Sequence, residues 1–314
     1  MPTDISLIIC SRNRSPALSQ TLLAIGQLDV PSHCRVELIV VDNASTDSTA
    51  QVIQSFRPTH MAYRPIHESR KGQCYARNAA LAASSGQLLL FTDDDVRPDR
   101  CWIDQLSRPI IDRRCEATVG KISLAPHLVR QWMTPLHRRW LAAPDEPRPS
   151  EVELIGANMA FHRHVLARVP AFDTDLGPGG LGFGDDTLFS FQLQEAGDSI
   201  FYVQQAGVVH HLNASRLLRK SWLKAARARG RTQAYLGHHW HHNRPPNTKF
   251  AFILLAKLLG RRLLQRPPNR NMEGCQPWEI SYVAQISMLR QWKIESKRPP
   301  NYHCRGLVKR TSNH

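Results

Sequence analysis

The sequence predicts an α/β protein built on an open, doubly wound sheet, followed by a basic helical extension. Short apolar runs alternate with helical patterns in the first hundred residues, and polar motifs follow these runs at their carboxyl ends. The charge is divided unevenly: residues 1–211 hold 20 Lys and Arg against 23 Asp and Glu, whereas residues 212–314 hold 21 against 3. We therefore expect a near-neutral domain over 1–211 and, over 212–314, a mainly helical extension that faces something anionic.

The first elements follow the order strand, helix, strand. Residues 5–10 form a short apolar run, as expected of a strand buried on both faces; residues 16–28 predict a helix, and residues 36–41 predict a second strand. Turn residues from Asn43 lead into a helix that ends near Phe56, and a weaker pattern at 61–63 predicts a third strand.

After residue 70 the pattern begins with a clear signal and then becomes less regular. Residues 73–84 predict a helix ended by Gly86, and residues 88–91 a fourth strand. Five prolines in residues 126–150 predict a long excursion that could form a lid. Further on we expect a strand at 155–161, a mobile glycine-rich loop at 173–184, a helix at 185–196 and two closing strands at 201–203 and 207–209.

The composition excludes several classes of protein. Hydrophobic residues make up 42% and charged residues 21%, which is typical of a globular chain, and no apolar run approaches the ~18 residues of a membrane span. The N-terminus does not look like a secretory signal, so a cytoplasmic protein is expected. The seven cysteines lack a C-x-x-C, which argues against a disulfide framework or a zinc knuckle.

An acidic triplet, Asp93-Asp94-Asp95, follows the fourth strand. Three neighbouring carboxylates repel one another unless a cation or protons neutralise them, and Mg²⁺ or Mn²⁺ would do so while binding phosphate oxygens. The alternative is a helix N-cap, but one Asp would suffice for that. The triplet therefore predicts a divalent-metal site for a nucleotide diphosphate.

A second acidic pair, Asp185-Asp186, follows the glycine-rich loop. Asp186 could be a general base toward an acceptor hydroxyl, and Asp185 could orient that acceptor. The alternative is again a helix N-cap, and the pair alone leaves the two interpretations even. His210-His211 follows an apolar run, and one imidazole could complete the metal's coordination. The histidine tract at 238–242 favours a solvated or interfacial patch over an ion site.

Taken together, five motifs in order resemble the signatures of family 2 glycosyltransferases, and the similarity covers roughly residues 4–211. They are ISLIICSRNR at 5–14, VELIVVDNASTDST at 36–49, KGQCYARNAAL at 71–81, LLFTDDDVRPD at 89–99 and GDDTLFSFQLQEAG at 184–197. The resemblance implies a GT-A fold: a mixed sheet with a Rossmann-like nucleotide-sugar-binding half and an acceptor half. It also implies a metal-dependent, hexosyltransferase-type enzyme that transfers sugar with inversion from a nucleotide-diphospho-sugar, with a UDP-sugar favoured.

The resemblance also implies roles for single residues. Asp42 matches the carboxylate that contacts the nucleobase, and Ser11 and Arg12 match the loop that lines the nucleotide. Asp93 and Asp95 match the outer positions of the D-x-D motif, the first near ribose and the second on the metal, with Asp94 between them. Asp186 matches the base, while Asp185 replaces the family's usual Glu; His211 corresponds to a late metal-binding histidine, with His210 as its competitor. Lys71, Arg77 and Asn78 fall in the stretch that approaches the base, ribose and diphosphate.

The basic extension leaves two interpretations open. Residues 250–264 are apolar but interrupted by Lys257 and Arg261-Arg262, which fits either an amphipathic helix in a membrane interface or a helix packed on the catalytic domain. The first would place the enzyme peripherally on the inner face of the plasma membrane, near a glycan or lipid-linked acceptor of cell-envelope or exopolysaccharide synthesis.

Two other functions are weighed against a glycosyltransferase. A metal-dependent nucleotidyltransferase should have a glycine-rich loop after its first strand, and Ser11-Arg12-Asn13-Arg14 contains no glycine. A nucleic-acid-binding protein would explain the basic extension, but no recognition signature is present, so nucleic acid is not a favoured partner.

Overall fold

One mixed sheet organises the molecule. The computed structural model describes residues 3–148, 151–245, 248–265 and 272–310. Within these residues eight strands pair in the order β3-β2-β1-β4-β7-β6-β8-β5. The strands are β1 (Thr3–Ser11), β2 (Cys34–Asp42), β3 (Ala62–His67), β4 (Leu88–Asp93), β5 (Val96–Pro98), β6 (Ala117–Leu124), β7 (Asn158–His162) and β8 (Ile200–His210).

The first half of the sheet is parallel, and the predicted α/β class is confirmed. Strands β1, β2, β3 and β4 run in one direction, and their register pairs Ser11 with Asp42 and Cys10 with Asp93. Helices α1 (Ser15–Ile25), α2 (Thr49–Ser55) and α3 (Gln73–Ala83) connect them. The polar ends of the strands therefore meet at one edge of the sheet.

The second half is mixed, and sequence patterns described it less well. Strand β7 is antiparallel to both β4 and β6, whereas β8 is parallel to β6 and antiparallel to β5. The two closing strands predicted at 201–203 and 207–209 belong to the single strand β8, which pairs with β6 on both sides of a register shift between Gly120 and Ile122. Strands β5 and β6 and helix α4 (Trp102–Ile111) were not predicted. Gly86 does not cap α3, whose C-cap is Ser84. The backbone of Gly86 instead packs closely on Ser6.

The remaining helices surround the second half. The proline-rich segment contains α5 (Pro135–Trp140), and α6 (Asp185–Glu195) begins at the predicted acidic pair. The extension consists mainly of α7 (Arg219–Tyr235), α8 (Thr248–Gln265) and α9 (Pro277–Glu295).

Two hydrophobic clusters lie on opposite faces of the sheet. Because side chains alternate along a strand, Leu7 and Leu38 point into one cluster, while their neighbours Ile8 and Ile39 point into the other. Helices α1 and α4 cover the first face, and α3 and α6 cover the second. The sheet is thus buried on both faces, which explains its continuous apolar strands.

The extension packs on the preceding region, where α7 and α9 share a hydrophobic cluster with Leu128 and Leu141. Tyr235, Trp240 and Tyr302 share a hydrophobic cluster with Leu176 and Leu188 of the preceding region. The histidine tract expected to be solvated lies in this packing: His239 is buried, and its Nε2 lies 3.0 Å from a carboxylate oxygen of Glu295.

Helix α8 differs from its neighbours because most of its described side chains are exposed. It contacts α9, where the guanidinium of Arg261 lies over the rings of Trp278 and Tyr282. Of the helices in the described residues, none has the length and apolar content that crossing a membrane requires.

Candidate active site

A cavity of about 1370 Å³ opens at the carboxyl ends of the central strands. Its volume exceeds the ~300–1,000 Å³ of a typical small-molecule pocket, so there is room for two substrates. Nine residues singled out from the sequence line this cavity. They are Ser11, Arg12, Arg77, Asp93, Asp94, Asp95, Asp185, Asp186 and His210.

Asp94, the middle member of the acidic triplet, is buried. The hydroxyl of Ser11 donates a hydrogen bond of 2.6 Å to its Oδ2, and Arg14 Nη1 lies 3.0 Å from Oδ1. Burial raises the pKa of Asp94 to about 7, although the positive charge of Arg14 opposes the rise. Asp94 therefore holds the loop after β1 in place at the edge of the cavity.

Asp95 lies between two positive partners. Its Oδ1 is 3.1 Å from His210 Nε2, and its Oδ2 accepts a hydrogen bond from Arg14. Burial acts to raise the pKa of Asp95, but the hydrogen bond from His210 and the charge of Arg14 outweigh it and lower the pKa. The pairing of Val96 with His210 between β5 and β8 brings the two side chains together.

Arg77 links the acidic triplet to the second acidic pair. Its Nη1 donates a hydrogen bond of 2.5 Å to Asp185 Oδ2, and its Nη2 lies 3.8 Å from Asp93 Oδ1. Both Arg77 and Asp185 are buried, and burial raises the pKa of Asp185 to about 6. Gly156 packs on the guanidinium so closely that a Cβ there would overlap it.

Asp186 is half-buried and faces the cavity from the first turn of α6. Its Oδ1 accepts from the amide of Thr187 at 2.9 Å, and its Oδ2 accepts from the amide of Gly156 at 3.1 Å. Each oxygen retains acceptor capacity, since a carboxylate oxygen accepts about two hydrogen bonds. The geometry suits a group that receives a proton.

Four of the predicted residues lie outside the cavity lining. Asp42, at the end of β2, is buried and has its Oδ2 3.1 Å from His67 Nδ1, while Lys71 is exposed. Asn78 exchanges two hydrogen bonds of 2.9 Å with the backbone of Phe172. His211 Nε2 lies 3.2 Å from Arg97 Nη1, so His210, rather than His211, lies beside Asp95.

The donor set at the triplet suits a hard divalent ion. Asp95 and His210 present a carboxylate oxygen and an imidazole nitrogen side by side, and Asp93 is the member whose side chain is the most accessible, at 31%. Such oxygen and nitrogen donors fit Mn²⁺ or Mg²⁺. Burial and the charge of Asp95 both raise the pKa of Asp93, which a bound cation would offset.

A different trio, Glu116, His164 and Asp198, has ligand atoms within 4.8 Å of one another. Because Glu116 precedes β6, Asp198 precedes β8 and His164 follows β7, the trio lies at the opposite end of the sheet from Asp95. Asp198 is already paired with Arg168. The trio is therefore not part of the cavity.

Sequence reasoning assigned no role to several charged or aromatic residues of the cavity. Arg14 follows Ser11 in the same loop, and its position after a strand was a usable signal. Others lie on α5, on α7 and in the turn just before α7, where basic residues look alike in sequence whether they face a cavity or solvent. They are Arg139, Trp140, Arg216 and Arg229.

Comparisons with known proteins agree with this architecture. Residues 6–172 match the family model described as glycosyl transferase family 2, so the match includes the acidic triplet and ends before Asp186. The succinoglycan biosynthesis protein ExoM of Rhizobium meliloti is 27% identical over 251 residues, 75% of this chain and 77% of that protein. A glucosyl-dolichyl phosphate glucuronosyltransferase of Haloferax volcanii is 23% identical over 66% of this chain and 69% of its own length.

A solved structure of similar fold is the mannosyltransferase PcManGT from Pyrobaculum calidifontis in complex with GDP-Man and Mn²⁺. It superimposes with a TM-score of 0.60 over 95% of this chain and 89% of that one, at 19% identity. At that identity the likeness establishes the fold, which is of the GT-A type.

Proposed function

The chain belongs to glycosyltransferase family 2, and from this premise we propose that it is a metal-dependent, inverting enzyme that transfers a hexose from a nucleotide-diphospho-sugar to an acceptor hydroxyl. The observation that supports the proposal most strongly is the single cavity lined by both Asp93–Asp95 and Asp186. A donor bound at the triplet and an acceptor bound at Asp186 would then share one enclosed space.

Asp186 is the proposed general base. Two backbone amides hold its carboxylate in place, and the remaining lone pairs can accept the acceptor's hydroxyl proton. Asp186 would remove this proton as the acceptor oxygen attacks the anomeric carbon. Because the bound acceptor excludes water, transfer is favoured over hydrolysis. Asp185, whose Oδ2 accepts from Arg77, is proposed to hold Arg77 in place rather than to contact the acceptor.

The donor is proposed to lie along the ends of β1, β2 and β4. Asp93, Asp95 and His210 would hold Mn²⁺ or Mg²⁺, which when bound neutralises charge on the departing diphosphate. Ser11, Arg12 and Arg77 line that side and would position the nucleotide. Asp42 and Lys71 lie outside the cavity lining and would contact the nucleobase only beyond it. Asn78 would act indirectly, by holding the backbone of Phe172. A UDP-sugar is the favoured donor.

The acceptor is proposed to belong to cell-envelope or exopolysaccharide synthesis. One relative is named for succinoglycan biosynthesis and another for a dolichyl phosphate-linked sugar, which supports a glycan or lipid-linked acceptor. The location proposed is the membrane surface.

Helix α8 supports that location. Its side chains Phe252, Leu255, Leu259 and Leu263 are spaced by three or four residues, so they share one face, and they are 75%, 39%, 50% and 82% exposed. The extension that holds this helix has 21 basic against 3 acidic residues. We infer that the face lies in the interface of an anionic bilayer.

The proposal is tested by replacing the base. Asp186→Asn should lower the rate of sugar transfer by ~10²-fold or more while leaving donor binding within about twofold, because the amide cannot take a proton. A panel of nucleotide sugars with Mn²⁺, followed by release of nucleoside diphosphate, first identifies the donor. Asp112→Asn, at an exposed carboxylate remote from the cavity, is the control. Transfer by Asp186→Asn at the wild-type rate would refute the assignment.

A further inference from the structure

Three arginines of the cavity lining have no acidic or hydrogen-bonding partner among the described residues. Within the described residues, the side chains of Arg139, Arg216 and Arg229 make no hydrogen bond and lie in no ion pair. Arg216 and Arg229 are half-buried and Arg139 is exposed, so the three like charges repel one another and the first two lose part of their hydration. Three unpaired cations around one cavity favour the binding of an anionic group there.

Arg229, on α7, is the most constrained of the three. Its guanidinium carbon lies 4.8 Å from the ring centroid of Trp140 and 4.5 Å from that of Phe183, so the group is held between two aromatic faces. Its Nε is buried without an acceptor. Burial lowers the pKa of Arg229 to about 10, and the charges of Arg139 and Arg216 act in the same direction, so the group stays charged at neutral pH.

The position of Arg229 relates it to the acceptor rather than to the donor. The charged groups that shift the pKa of Arg229 are Asp186, Glu153, Arg139 and Arg216. The pKa of Arg216 is shifted instead by Arg14, Asp93 and Asp95. Phe183, which holds one face of the guanidinium, lies three residues before Asp186, at the end of the loop that leads into α6. An anion bound at Arg229 would therefore lie near the proposed base.

We propose that Arg229, with Arg139, forms an anion subsite for the acceptor, and that the acceptor carries a phosphate or carboxylate group close to the hydroxyl that is glycosylated. This inference rests on the proposed function, because it takes Asp186 as the base. The stacked, planar guanidinium presents two parallel N–H donors, which matches the bidentate geometry of both anions.

Equilibrium dialysis of three labelled probes against the full-length protein tests the proposal without any transfer reaction. Glucose 1-phosphate, glucuronate and neutral glucose are compared at neutral pH and low salt, with metal and nucleotide left out. We expect at least one charged probe to bind about tenfold or more tightly than glucose. Arg229→Met should abolish that preference, and Arg229→Lys, which keeps the charge, should retain part of it.

The matched control is Arg227→Met, two residues away on α7, where the side chain is exposed and outside the cavity. It should bind the probes as the wild type does, and circular dichroism would show that each variant is folded. Tighter binding of glucose 1-phosphate would indicate a phosphorylated acceptor, and tighter binding of glucuronate an acidic sugar. Equal binding of all three probes, or an unchanged preference in Arg229→Met, would overturn the proposal. Because no sugar is transferred, this outcome is independent of the Asp186 experiment.

Discussion

The site is held together by charge pairs that each join two distant segments. Arg14 joins the loop after β1 to Asp94 and Asp95, and Arg77 joins α3 to Asp185 at the start of α6. Such pairs add little net stability, because desolvation offsets the attraction, but breaking one leaves a buried charge alone. Their contribution is therefore to position the carboxylates.

The arrangement of the two adjacent histidines leads to a prediction about metal binding. His210 Nε2 is 3.1 Å from Asp95, whereas His211 contacts Arg97. If the metal is bound as proposed, His210→Ala should weaken Mn²⁺ affinity by ~10–100-fold, and His211→Ala by less than about threefold. Electron paramagnetic resonance titration of Mn²⁺ with nucleoside diphosphate present measures both. A larger loss in His211→Ala would reverse the assignment.

Gly156 gives a prediction about the Arg77 pair. In Gly156→Ala the new methyl group would overlap the guanidinium and push it away from Asp185. Because a buried ion pair would be disrupted, we expect the free energy of unfolding to fall by about 3 kcal/mol, measured by urea denaturation. Gly260→Ala, at a helix position with open space around it, should be neutral or slightly stabilising. An unchanged unfolding midpoint in Gly156→Ala would mean that Arg77 can move without cost.

At the scale of elements, α7 and the C-terminal segment hold the glycine-rich loop in place. Thr232 donates to the carbonyl of Phe183 at 3.0 Å, and Arg231 donates to the carbonyl of Leu181 at 3.1 Å. Asp173, where the loop begins, accepts from the hydroxyls of Tyr235 and Tyr302 and lies 2.6 Å from Lys309 Nζ. The loop that we expected to be mobile is thus fastened at both ends by the extension.

The pairing of Asp173 with Lys309 should depend on pH. Burial acts to raise the pKa of Asp173, but Lys309 and the tyrosine hydroxyls outweigh it and lower the pKa. Its stabilising effect is therefore present above the unfolded pKa of ~3.9 and is lost as the pH falls through the folded value. The pKa of Lys309 is raised in the folded protein, so the stability that Lys309 contributes is lost only above its unfolded pKa of ~10.4.

We expect Lys309→Met to lower the free energy of unfolding by about 1 kcal/mol between roughly pH 5 and 9, a figure reduced because a third of the side chain is exposed. The difference from the wild type should shrink below about pH 4. Urea denaturation across this range measures it, with Lys297→Met at an exposed position as the control. A difference that is constant from pH 3 to pH 9 would argue against the ion pair.

The elements that sequence patterns predicted are those whose signal is local. Buried parallel strands such as β1 and β4 are continuous apolar runs, and α3 and α6 have clear starts, so the donor half and the acidic residues could be located. Strand β5 has three residues, and β8 has a polar middle, so both depend on tertiary pairing that leaves no periodicity. The distinction between His210 and His211 likewise depends on the register of β5 with β8. The aromatic contacts of Arg229 depend on the packing of α5 and Phe183 against α7.

At the scale of the whole molecule, the extension has two roles on different surfaces. Helices α7 and α9 pack on the catalytic part through a hydrophobic cluster shared with Leu128 and Leu141, whereas α8 turns an apolar face outward. Of the two interpretations of the extension, packing on the domain is observed for α7 and α9, and lying in a membrane interface is what we propose for α8. A helix of 18 residues is about 27 Å long, so this face could lie flat over several lipid headgroups.

Flotation on lipid vesicles tests the membrane proposal. The full-length protein should float with vesicles of phosphatidylcholine and phosphatidylglycerol and stay behind with phosphatidylcholine alone, and binding should weaken as salt screens the basic residues. The double substitution of Leu259 and Leu263 by Glu should reduce the bound fraction at least fivefold, because it removes two apolar side chains and adds two negative charges. Leu23→Glu, at an exposed leucine on α1, should bind as the wild type does. Equal flotation of the α8 variant and the wild type would show that the face has another partner.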